Sequence, residues 1–210
     1  FKSDYIDEFF VELGVLKTLK VLNIMGYGLS EFKYQWTQIF RNLTSLNLAS
    51  NDLKIVNPDL FKSCYKLIIL DLSNNFLNNL TNVFNALRPV QFNLKELKLT
   101  GNMIENLIDF PKFPNLEILD LSYNKIKIIN DNSFYSLSKL THLFLTNNQI
   151  ELIENDAFKY SKNLNIILLN NNMLQRTPRI SNLSKLKILD MVNQNGNLKK
   201  LNDYAFERIE

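Results

Sequence analysis

The sequence predicts an α/β fold. It is a solenoid bent into a horseshoe, with a parallel β-sheet on the concave face and an irregular, short-helical convex side. Three observations predict it. One phrase, Leu-x-x-Leu-x-Leu-x-x-Asn-x-(Leu/Ile), recurs along the 210 residues at a nearly fixed interval. Its fourth- and sixth-position leucines alternate with variable residues, which is strand periodicity with one face buried and one wet. The phrase closes on an asparagine, whose side chain carries both donors and an acceptor for a sharp turn.

The copies follow in order. The first leucines fall at Leu19, Leu43, Leu67, Leu94, Leu116, Leu140, Leu164 and Leu186, spaced 22 to 27 residues apart. Six copies are complete, from Leu43-Leu46-Leu48 to Leu164-Ile167-Leu169, and looser ones flank them at Leu19-Leu22-Ile24 and Leu186-Leu189-Met191. Each lays down one short strand, and parallel strands stack at roughly 4.8 Å. No repeat buries its leucine face alone, whereas eight stacked repeats share one core. The turn asparagines form the expected structural ladder: Asn51, Asn75, Asn102, Asn124, Asn148 and Asn172. Buried turn amides and carbonyls without partners are costly, and an asparagine at a fixed position serves them in adjacent repeats. Tyr27 and Gln194 stand at this position in the first and last copies, so the ladder is expected to fail there.

The second half of each repeat is also patterned. Phe61, Phe110, Phe134 and Phe158 sit six residues before the next first leucine, and Leu16, Phe40, Cys64, Phe113, Leu137 and Leu183 sit three before it. This predicts a phenylalanine spine behind the leucines, where aromatic rings supply large buried area. The 27-residue third repeat carries its extra residues near Phe84–Phe92, around Arg88-Pro89, and reads as an insertion in a convex loop.

These residues resemble the leucine-rich repeats, and the 24-residue form with a phenylalanine resembles their "typical" subclass. That subclass is found mostly in extracellular proteins such as Toll-family receptors, Slit-like guidance proteins, small proteoglycans and insect immune proteins. The resemblance covers about residues 13 to 206. It implies a non-catalytic ligand- or protein-recognition module, part of an extracellular or cell-surface receptor, adhesion or innate-immune protein. An intracellular scaffold or assembly subunit in the cytoplasm stays open as the alternative.

One leucine-rich domain over residues 1–210 is expected, with repeats cut at both ends. Leu13, Leu16 and Leu19 read as the tail of a repeat, and Leu201–Phe206 matches Ile153–Phe158. No cap is visible, which points to a portion of a longer ectodomain. A net charge of +3 is too small to argue for nucleic acid. No apolar run approaches the roughly 20 residues of a membrane-spanning helix, so membrane contact is expected only through segments outside this chain.

Catalytic, cofactor and metal sites are not expected. With one histidine and one cysteine, a Cys–His pair needs Cys64 and His142, which lie three strand spacings apart, about 15 Å. Asp71 and Asp120 share a strand column but sit two repeats apart, about 10 Å. Cys64 reads as a buried apolar side chain.

Glycosylation acceptor patterns occur at Asn42, Asn79 and Asn182. With 31 Asn and 21 Ser plus Thr, chance alone gives about three such patterns, so only their positions outside the strands are informative. Specificity is expected on the concave columns, where the first four repeats are mostly small, polar or charged. The later repeats collect Ile118, Phe144, Ile166, Leu168 and Ile188, with Tyr123 and His142 beside them. An apolar patch with an aromatic anchor fits a binding hot spot. The expected partner is a protein ligand or co-receptor, and homo- or heterodimer formation through the same patch stays open.

Overall fold

The computed structural model describes residues 8–10, 12, 17–107, 110–180, 182–196 and 198. The expected partial repeats at Leu13–Leu16 and Leu201–Phe206 lie outside them. Eight strands form one parallel sheet in sequence order: β1 (Val21–Asn23), β2 (Ser45–Asn47), β3 (Ile69–Asp71), β4 (Glu96–Lys98), β5 (Ile118–Asp120), β7 (His142–Phe144), β9 (Ile166–Leu168) and β10 (Ile188–Asp190). The register is unbroken, since the central residues pair as Leu22, Leu46, Leu70, Leu97, Leu119, Leu143, Ile167 and Leu189. A period of two puts that column on the core face and both flanking columns on the other. Leu46, Leu70, Leu97, Leu119, Leu143 and Ile167 are fully buried.

Each turn asparagine spends its side chain on two repeats. Asn75 accepts from Leu53 N at 3.0 Å and donates to Leu48 O at 3.1 Å in the preceding repeat, then to Leu72 O at 3.0 Å in its own. Asn51, Asn102, Asn124, Asn148 and Asn172 repeat the pattern. The ladder does not fail at Gln194. Its amide accepts from Leu174 N at 3.1 Å and donates to Leu169 O at 2.8 Å and Met191 O at 3.1 Å. One extra methylene still leaves a primary amide in reach of the same groups.

One residue before each rung the backbone turns left-handed. Gly26, Ser50, Asn74, Gly101, Tyr123, Asn147, Asn171 and Asn193 all have φ between 52 and 76°. At Gly101 a Cβ would also meet the Asn74 side-chain oxygen, so a larger residue there requires the exposed Asn74 side chain to move.

The convex side departs from the expected loop at the long repeat. Residues Leu80–Leu87 form helix α2, capped by Asn79 Oδ1 accepting from Asn82 N at 3.2 Å. Leu80, Val83, Phe84, Ala86 and Leu87 turn inward, an amphipathic helical spacing. The added residues complete this helix and bring Phe84 to 4.6 Å from Phe110, measured between ring centroids. Phe84 thus joins the spine that continues Phe110–Phe134–Phe158 at 6.0 Å per step. Helix α1 (Tyr34–Thr37) buries Trp36, which stacks on Phe10 at 4.2 Å and 13°. A second, two-stranded sheet pairs β6 (Ile128–Ile129) with β8 (Leu152–Ile153). Cys64 is buried and free, and burial pushes its thiol up to about 12, so it stays protonated and packs as an apolar group.

Candidate functional site: the concave face

The register assembles the apolar residues of the later repeats into two rows. In one, Ile118, His142, Ile166 and Ile188 are direct neighbours. In the other, Asp120, Phe144, Leu168 and Asp190 are neighbours. Each side chain stands beside its partner on the adjacent strand, near enough for cross-strand packing. Phe144 and Leu168 are half-buried by this crowding, while Ile188 is 47% exposed at the end of the row. The His142 ring lies 6.1 Å from that of Phe144, and its Nδ1 is 2.8 Å from Thr141 Oγ1. Thr141 Oγ1 in turn donates to Glu117 O at 2.9 Å. Thr141 is therefore a positioning residue for His142, and the repeat phrase carries no signal for it.

Tyr123 sits outside these rows, at the edge where strand β5 ends. It is 60% exposed and has φ 55°, at the position that glycine, asparagine or serine fills in the other seven repeats. A bulky side chain in the left-handed region is strained. That strain was readable from sequence once the eight positions were aligned. Tyr123→Asn is expected to raise the unfolding free energy by about 1 kcal/mol, read as a higher urea midpoint. An unchanged or lower midpoint refutes the strain.

The polar residues of the face have their own logic. Asp71, Asp120 and Asp190 each accept a bond from the amide two residues on, at 2.9, 2.9 and 3.0 Å. Asn23 and Asn47 do the same for Met25 and Ala49. The aspartates thus fasten the strand ends as well as covering the sheet. Between Asp71 and Asp120 in register stands Lys98, whose Nζ meets Glu96 at 2.8 Å. The Glu96 hydrogen bond raises the Lys98 pKa against a lowering from burial, and Asp71 and Asp120 add to the rise.

The acceptor asparagines differ. Asn79 and Asn182 are exposed. Asn79 spends only its Oδ1 on the helix cap, which leaves its nitrogen for a sugar. Asn42 is held on both sides, with Nδ2 donating to Lys17 O at 2.9 Å and Oδ1 accepting from Lys66 Nζ at 2.7 Å. Among the described residues no group of three or more His, Cys, Asp or Glu is arranged to hold a metal ion, and no helix is long and apolar enough to cross a membrane.

A family model for the leucine-rich repeat matches residues 41–104 and 92–150. Rat leucine-rich repeat-containing G-protein coupled receptor 5 is 36% identical over 108 residues, covering 50% of this chain and 11% of that protein. Chicken Toll-like receptor 2 type-1 is 31% identical over 137 residues, covering 64% and 17%. Tsukushi of Xenopus tropicalis is 33% identical over 130 residues, covering 61% and 36%. The chain therefore spans only a minor part of these relatives. Among solved structures, a leucine-rich repeat protein of Leptospira interrogans superposes with a TM-score of 0.72 at 28% identity, covering 85% of this chain and 44% of that one. The APL1 leucine-rich repeat domain superposes at 0.66 with 19% identity, covering 79% and 43%, a likeness of fold.

Proposed function

The chain belongs to the leucine-rich repeat family, and from that premise we propose that it is a non-catalytic recognition module of an extracellular or cell-surface protein, binding a protein ligand or co-receptor on its concave face. The observation that carries this is the pairing of Phe144 with Leu168 at the centre of the apolar rows, flanked by Asp120 and Asp190. An aromatic anchor inside a polar border is the composition of an interaction hot spot. Relatives named as receptors support the cell-surface reading.

A panel of secreted proteins screened against the chain tests the site. Phe144→Asp with Leu168→Asp is expected to weaken any specific binder by at least about tenfold, since buried anchors dominate such interfaces. Its circular dichroism melt should remain cooperative, because both side chains lie outside the leucine core. Undiminished binding by the double variant refutes the assignment. Mass spectrometry of Asn79 and Asn182 after expression in the source cell tests the location: glycan at either excludes the intracellular scaffold.

A further inference from the structure

A second polar ladder runs along the rim where the strands begin, outside the repeat phrase. Asn42, Asn115 and Asn163 stand immediately before first leucines, and each donates its amide to the preceding repeat: to Lys17 O at 2.9 Å, Phe92 O at 2.7 Å and Ser138 O at 2.8 Å. Each amide oxygen then receives the lysine one repeat further on. Lys66 reaches Asn42 at 2.7 Å, Lys139 reaches Asn115 at 2.7 Å and Lys185 reaches Asn163 at 2.6 Å. An amide fixes an ammonium without cancelling its charge. Elsewhere Lys62 and Lys159 are paired with Asp59 and Asp156.

The rim is strongly basic. The two residues before each first leucine and the one after it make 24 positions, of which nine are Lys or Arg and one, Glu117, is acidic. That acid already pairs with Lys95 at 2.8 Å. Nine minus one gives this rim +8; taken from the chain's +3, it leaves −5 for every other residue. Every repeat but the fifth, which carries Glu117, contributes at least one cation, along a line of about 34 Å, seven strand spacings.

We infer that this rim binds a linear sulfated polysaccharide. Just before the first leucines Lys66, Lys139 and Lys185 are interleaved with the neutral amides of Asn42, Asn93, Asn115 and Asn163, which suits a polymer carrying both sulfates and hydroxyl groups. Each rung amide still holds a second N–H for a sugar oxygen. Tyr65 and Phe92, 50% and 55% exposed, offer ring faces on the same rim. Nucleic acid fits less well. The cations follow one edge of the sheet, whereas duplex recognition meets two phosphate strands. This inference stands apart from the concave-face reading, and either survives the failure of the other.

The test is a calorimetric titration of the chain with a heparin dodecasaccharide at 0.15 M NaCl. Measurable binding is expected, weakening at least about tenfold between 0.1 and 0.3 M NaCl as counterions compete. Lys66→Gln, Lys139→Gln and Lys185→Gln together keep a donor for each asparagine and are expected to weaken binding by at least about tenfold. Lys162→Gln with Lys187→Gln leaves every rung intact and should act in the same direction, so loss of fold in the triple variant does not blunt the test. Lys54→Gln, Lys125→Gln and Lys127→Gln remove the same charge beyond the strand ends and are expected to cost less than about twofold. Absence of binding, or equal loss in the two triple variants, overturns the proposal. Tighter binding of a 20-nucleotide oligodeoxythymidylate than of heparin also overturns it and assigns the rim to nucleic acid.

Discussion

Asn124→Asp is expected to destabilise the chain by about 4 kcal/mol at pH 7, in the range reported for an uncompensated buried charge. The two side chains have nearly the same shape, so the change tests chemistry alone. Asn124 is buried at 7% exposure. Its Oδ1 accepts from Ile104 N at 3.0 Å, and a carboxylate keeps that bond. Its Nδ2 donates to Leu99 O, Leu121 O and Ser122 O at 3.0, 3.0 and 3.1 Å. A carboxylate oxygen there faces three carbonyl oxygens with no proton between them. The new carboxyl therefore has a raised pKa in the folded state. The sign follows: the variant is least impaired below the ordinary carboxylate range, where the group is protonated in both states, and loses stability as pH rises toward the folded-state value. Urea unfolding at pH 4 and pH 7 measures both effects. A loss below 2 kcal/mol at pH 7, or a loss independent of pH, refutes this account of the rung.

Phe134→Ala is expected to cost about 3–5 kcal/mol, the usual cost of removing a buried ring and leaving a cavity. Phe134 is fully buried. It stacks on Phe158 at 5° between planes and meets Phe110 at 41°, both at 6.0 Å. One ring thus joins three repeats, and its neighbours cannot collapse inward without shifting the strands they carry. Because the stability of a repeat array is close to a sum of neighbouring interfaces, the urea transition should broaden or split as the midpoint falls. A single transition shifted by less than 1.5 kcal/mol refutes the spine as a shared element.

Where the repeat phrase is regular, the fold is legible in the sequence. The leucine column, the strand face and the registers all follow from period two inside period 24. Legibility drops where the period slips. Phe84 stands ten residues before Leu94 instead of six, because a helical turn intervenes, so alignment by spacing passes over it. Gln194 reads as a break by residue identity, while the turn requires only a primary amide within reach. The β6–β8 pairing leaves no mark in the sequence because two-residue strands carry no alternation. At the candidate site, both apolar rows were legible, because a strand's outward residues must stand beside those of its neighbours. Thr141 was not, since its bond to His142 depends on a rotamer. The basic rim is the least legible feature. Net charge sums over the chain, whereas the fold gathers every 24th residue, and the sum hides what the gathering concentrates.

The asparagine rungs also have a direction. Asn75, Asn102 and Asn124 take their cross-repeat bonds from Leu53, Leu77 and Ile104, always in the unit before. A newly made unit therefore holds one inward amide that only its successor can answer. Because synthesis runs from the N-terminus and folding follows it, construction proceeds like masonry: each course is locked by the next one laid. The growing tip is always the unfinished course. A fault in one rung is felt first by the unit already in place, upstream of the residue that changed.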